Sequence, residues 1–133
     1  MRFTIDRIDH IVLNVASVEI SAAWYQRVLG MERETFGEGN RTALKFGGQK
    51  INLRPVDADA RLWATGVNAD PGAADVCFIT AVPPDEVVGH LHDKGVQILQ
   101  GPVEKTGALG PILSVYCRDP DGNLIEISSY QSR

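Results

Sequence analysis

The chain has 133 residues, with 13 Lys and Arg against 17 Asp and Glu, a formal charge of −4, 44% hydrophobic and 23% charged residues. This suffices for one globular domain, or two small modules sharing a core, and excludes a largely disordered chain. No apolar run approaches the roughly 20 residues that span a bilayer, Met1 to Asp6 lacks a signal-peptide stretch, and the acidic balance argues against generic nucleic-acid binding, so the expectation is a cytoplasmic protein with small-molecule partners, no nucleic acid and no membrane.

Ile8 to Val15 is rich in β-branched residues and reads as a strand. Ile11, Leu13 and Val15 then face one side, and Ile8, His10, Val12 and Asn14 the other. Ser17 to Leu29 carries Ala22, Trp24, Tyr25, Val28 and Leu29 at helical spacing, with Ser17 or Ser21 as N-cap and Gly30 as the stop. Met31–Phe36, Thr42–Phe46 and Lys50–Pro55 follow as strands, the last two joined by Gly47-Gly48. Val56 to Gly72 has linker chemistry, although Leu62 and Trp63 suggest that part of it packs down.

The order then repeats. Asp75–Thr80 reads as a strand, Asp85–Lys94 as a helix after Pro83-Pro84, and Val96–Leu99 as a strand. A Gly-rich loop around Gly101, Gly107 and Gly110 leads to Ile112–Cys117, and Asp119-Pro120-Asp121-Gly122 turns the chain into Leu124–Ser128. The helix stops Gly30 and Gly95 lie 65 apart, a shift that places His10 on Asp75. Gly48 and Gly122 lie 74 apart, which places Asn52 on Glu126 and leaves nine extra residues for the Gly-rich loop of the second half. The fold class is therefore α+β: two tandem βαβββ modules, a curved mixed sheet around a cavity with helices outside. One domain covers 1–133, with module one at about 5–55, a linker at about 56–72 and module two at about 73–130.

Strand parity picks out a second face. If the helices cover Ile11, Leu13 and Val15, then His10 lies on the opposite side, as do Asp75, Glu126 and Asn52, each flanked by apolar neighbours. A turn centred on Asp121 pairs Tyr116 with Glu126 and leaves Leu113, Val115 and Cys117 toward the core. Lys45, Lys50 and Arg54 share the parity of Asn52, either as a cationic rim for an anionic substrate or, as we favour, as a solvated face. Cys77 and Cys117 have no zinc-like spacing and read as reduced packing residues. His90 and His92 read as helix-surface residues, and Gly37-Glu38-Gly39 as a turn.

The Ile-Asp-His-Ile opening, the Trp-Tyr…Leu-Gly helix ending and the final Asp-Pro-Asp-Gly-Asn-Leu-Ile-Glu resemble the vicinal oxygen chelate superfamily (glyoxalase, bleomycin resistance, extradiol dioxygenase), most closely its small single-chain glyoxalase-domain proteins. The resemblance implies a divalent ion (Mn, Ni, Co, Fe or Zn) held by His10, Asp75 and Glu126, with Asn52 at the fourth place. Substrate would be bound by Asn52, Tyr116 and Arg54, and a homodimer is implied. A histidine with two carboxylates is chemically reasonable for such ions. No general base is assigned: Asn52 cannot serve as the glutamate base of glyoxalase I, and Asp75 stands where dioxygenases and fosfomycin-resistance proteins have a second histidine. The leading expectation is a metal-dependent lyase, isomerase or addition enzyme. The alternatives are a metal-free drug- or metabolite-binding protein and an interaction domain that keeps only the scaffold.

Overall fold

The structure is a computed structural model and describes residues 2–131. The elements are β1 (His10–Val15), α1 (Val18–Leu29), β2 (Glu32–Phe36), β3 (Arg41–Phe46), β4 (Gln49–Pro55), β5 (Asp75–Ile79), α2 (Pro84–Asp93), β6 (Gln100–Gly107), β7 (Gly110–Arg118) and β8 (Leu124–Tyr130). The fold is α+β, two tandem βαβββ modules. The chain divides into two compact units, Met1–Asp70 and Pro71–Arg133, at a boundary inside the segment read as a linker. Among the described residues no helix is long and apolar enough to cross a membrane.

In the first unit, the Ser17 hydroxyl accepts the Ile20 N–H and starts α1. Gly30 ends it in the left-handed region at φ 66°, where glycine carries no steric penalty. Tyr25, Ala22 and Val28 point inward and pack α1 onto a sheet of order β1-β4-β3-β2, in which only β1 and β4 run parallel. Leu13, Val15, Leu44, Ile51 and Leu53 form the core beneath the helix, each such side chain contributing about 1.5–3 kcal/mol on burial. Trp24 meets Tyr25 edge-on at 4.9 Å.

The second unit has the equivalent order, β5-β8-β7-β6, with β5 and β8 parallel. Val87 and Leu91 are the buried residues of α2, which packs against β6, β7 and β8. Val115, Cys117, Ile125 and Ile127 are buried apolar residues on the helix face of this sheet. The duplication holds at the level of register: Val12 lies beside Asn52 and Cys77 beside Glu126, and shifts of 65 and 74 convert the first pair into the second. Tyr116 pairs with Glu126 as the turn arithmetic required.

Several boundaries differ from the sequence reading. β1 starts at His10, with Ile8 64% exposed. Val96–Leu99 is not a strand; the strand is Gln100–Gly107, inside the stretch read as a loop. It forms a hairpin with β7, the two strands having eight and nine residues against five and six in β2 and β3. With its turn, the second hairpin spans residues 100–118 against 32–46 in the first, so four of the nine additional residues lengthen it and the rest lie just before and just after it. Gly101, at φ 109°, sits where the register shifts, and a Cβ there would collide with the Ser114 carbonyl oxygen. In the linker Leu62 is exposed, whereas Trp63 is half-buried beneath the Arg41 guanidinium, 3.9 Å from the ring centroid.

Candidate functional site

On the helix-free face of the first sheet, β1 and β4 set His10 beside Lys50, Val12 beside Asn52, and Asn14 beside Arg54. His10 Nδ1 lies 2.8 Å from the Asp9 carboxylate, which orients the ring and leaves Nε2 outside that bond. The same hydrogen bond holds the Asp9 carboxyl below its ordinary pKa. Asn52 is 6% exposed, and its carboxamide oxygen has no hydrogen-bond partner. An unmade bond at a buried acceptor costs about 1–3 kcal/mol, so this oxygen is suited to receive a donor.

Arg54 is 2% exposed and lies beneath the chain that follows it. Its guanidinium donates to the carbonyls of Trp63 at 3.0 Å and Ala58 at 3.0 Å, and to the Asn14 side-chain oxygen at 2.9 Å. Asn14 in turn donates to the Thr65 hydroxyl at 3.2 Å. The expected substrate group is thus engaged with residues 58–65. Lys45 pairs with Glu34 at 3.2 Å, and Lys50 stands 3.6 Å from the Phe36 ring centroid. Lys45, Lys50 and Arg54 are thus each engaged inside the unit.

In the second unit Asp75 is exposed at the first position of β5, and Cys77, Glu126 and Tyr116 form one row across β5, β8 and β7. Cys77, read as a packing residue, is instead exposed on this face. Glu126 Oε2 accepts the Ser114 hydroxyl at 2.6 Å and lies 3.4 Å from that of Ser128. The Tyr116 phenol is pushed up to about 12, first by desolvation, then by its hydrogen bond to Glu126 and that group's charge. Burial likewise pushes the Cys77 thiol up.

The closing turn is held by its own side chains. Asp119 accepts the backbone N–H groups of Asp121 and Asn123, each at 2.9 Å, and the Asn123 amide at 2.7 Å. The Asn123 oxygen accepts the Ala74 N–H at 2.9 Å, which fixes the entry to β5 next to Asp75. Gly72, at φ 87°, lies so close that a Cβ would strike the Asp121 carbonyl oxygen. The Asp-Pro-Asp-Gly-Asn motif therefore sets the register on which both Asp75 and Glu126 depend.

The structure thus brings Asp75, Glu126 and Tyr116 onto one face of the second sheet and places His10 and Asn52 on the helix-free face of the first. Within each unit, no group of three or more His, Cys, Asp or Glu among the described residues is arranged to hold a metal ion. Sequence reasoning missed Ser114, Ser128 and the Asp119–Asn123 clasp. Their signal was available: 114 with 128, and 119 with 123, have the same midpoint, 121, as 116 with 126.

Residues 7–127 match the family described as the Glyoxalase/Bleomycin resistance protein/Dioxygenase superfamily. The chain belongs to this superfamily. It is 48% identical over 130 residues to virulence protein STM3117 of Salmonella typhimurium, covering 98% of this chain and 88% of the relative. The crystal structure of that protein superposes with a TM-score of 0.92 over 97% of this chain and 100% of that chain. Integron cassette protein VCH_CASS1 of V. cholerae is similar at 44% identity, with a TM-score of 0.93 over 98% of this chain and all of its own. The glyoxalase domain-containing protein RDO1 of Mycosarcoma maydis is 42% identical over 98% of this chain and 72% of its own length. The fold alone is shared with lactoylglutathione lyase of Agrobacterium tumefaciens (22% identity, TM-score 0.72, 95% of each chain) and with the antibiotic binding protein TnmS3 of Streptomyces sp. CB03234 (18%, 0.76, 98% of this chain and 100% of that one).

Proposed function

We propose that this protein is a divalent-metal-dependent enzyme of the glyoxalase-like class, chelating a small substrate through two adjacent oxygens for lyase, isomerase or addition chemistry. His10, Asp75 and Glu126 are the assigned ligands, and the ion is Mn, Ni, Co, Fe or Zn. The observation that carries this reading is the Asp9–His10 bond, in which a carboxylate fixes the imidazole through Nδ1 and leaves Nε2 to coordinate. One imidazole nitrogen and two carboxylates are suitable donors for these ions. When bound, the ion supplies Lewis-acid polarisation of substrate oxygens.

The protein's own groups orient the substrate. The carboxamide oxygen of Asn52 accepts a substrate N–H or O–H, the bond its buried position lacks. Tyr116, in one row with Glu126, contacts substrate with its ring, its phenol proton being engaged by Glu126. Arg54 is assigned to retention of the loop that covers it rather than to substrate contact. The proposed assembly is a homodimer, tested by sedimentation and by mixing inactive variants.

Metal analysis of protein purified without chelator tests the assignment. Wild type is expected to retain a divalent ion, and His10→Ala and Glu126→Ala to lose most of it; equal retention by both variants defeats the site. A second reading, metal-free binding of a drug or metabolite, is favoured by the unpartnered Asn52 oxygen and by the fold shared with TnmS3. Tight binding of planar aromatic ligands to metal-free wild type, lost in Asn52→Leu, would select it.

A further inference from the structure

Ser114 is fully buried and Ser128 is 1% exposed, yet both hydroxyls lie on the same face as Glu126. The Ser114 and Ser128 oxygens are 2.7 Å apart, and the Cys77 sulfur is 3.4 Å from that of Ser128. Counting protons fixes the direction of these bonds. The 2.6 Å contact between Ser114 and the carboxylate must contain the single Ser114 proton, because two oxygens that close without one would repel. Ser128 must then donate to Ser114 at 2.7 Å, its 3.4 Å approach to Glu126 Oε2 being the weaker arm of the same proton, and the Cys77 thiol donates to Ser128. The result is a directed chain, Cys77 S–H to Ser128 O–H to Ser114 O–H to Glu126 Oε2, running from an exposed thiol to a partly covered carboxylate.

We propose that Ser114, backed by Ser128 and Cys77, is a positioning residue that holds the Glu126 carboxylate in one orientation. The role in metal binding rests on the reading of Glu126 as a ligand; the chain itself does not. Hydrogen bonds that orient a ligating carboxylate change metal affinity by about 10–100-fold when removed.

Two readouts separate the proposal from the functional reading. The first is the carboxylate infrared band of metal-free protein, assigned to Glu126 by its loss in Glu126→Gln. That band is expected to shift in Ser114→Ala, less in Ser128→Ala, and not in Ser129→Ala, whose side chain is on the other face. Cys77→Ala is expected to give a small shift that Cys77→Ser, which keeps a hydroxyl donor, restores. The second readout is Mn²⁺ affinity by titration, expected to fall about tenfold in Ser114→Ala. An unmoved Glu126 band in Ser114→Ala and Ser128→Ala overturns the chain, whatever metal does. A shifted band in protein that binds no divalent ion upholds the chain and removes the metal reading. If Ser114→Ala does not fold, Ser128→Ala and the Cys77 pair decide.

Discussion

Tyr116 shows how desolvation and one neighbour together set a side chain's chemistry. Its neutral phenol is favoured by desolvation and by donating to Glu126, so its pKa in the folded chain lies near 12, above the ordinary 10. The sign follows: the stabilisation is complete below pH 10, where the phenol is protonated in both folded and unfolded chains, and is lost as pH rises toward 12. In an ultraviolet titration, the tyrosinate step absent from Tyr116→Phe is expected near pH 12, and to move toward 10 in Glu126→Gln. A step already near 10 in wild type would show that neither desolvation nor Glu126 acts on the phenol. Tyr116 could be found by pairing arithmetic alone. Asn52 could be placed on its face in the same way, but not its solitary oxygen, because parity gives a side and not the partners on it.

At the scale of elements, alternation and capping made most strands and both helices readable. Ser17 and Gly30 act at the ends of α1 as their chemistry suggests. β6 was unreadable for a physical reason: Gln100–Gly107 contains two glycines and a proline, and local propensity disfavours a strand there. It forms because β7 offers a partner and because β6 is an edge strand, where the missing N–H of Pro102 can be tolerated. The burial of Arg54 was hidden likewise, since its cover is irregular chain with no periodicity. Replacing Arg54 by Ala strips donors from carbonyls of residues 58 and 63 and is expected to cost about 3 kcal/mol. Lys cannot span the same fork of acceptors and should recover little of it. Denaturant unfolding measures the loss, and faster proteolysis within residues 56–65 would locate it; unchanged cleavage there would dissociate Arg54 from the loop.

At the scale of the whole molecule, the duplication explains why candidate residues recur at matching positions. His10 and Asp75 each open the first strand of a module, and Asn52 and Glu126 occupy one register position in β4 and β8. The fastening of the modules differs. The first closes its parallel pair with the Gln49 amide on the Ile8 carbonyl, and the second with Asn123 on the Ala74 N–H. The second fastening reaches across 49 residues of sequence and leaves no space at Gly72. Gly72→Ala is expected to destabilise by about 2 kcal/mol or more, from the strained φ and the collision with Asp121. Thermal unfolding checks it; a neutral outcome would mean that the turn at 119–123 yields easily.

That crowding has a consequence for how such a tandem architecture can lengthen. Extra residues inserted among 66–70 would only extend a tether, at a closure cost that grows with the logarithm of its length. The same residues added after Gly72 would push Ala74 away from Asn123 and carry Asp75 off its station. Added length is therefore costly after Gly72 and cheap before it, so natural length variation among relatives should accumulate upstream of that glycine.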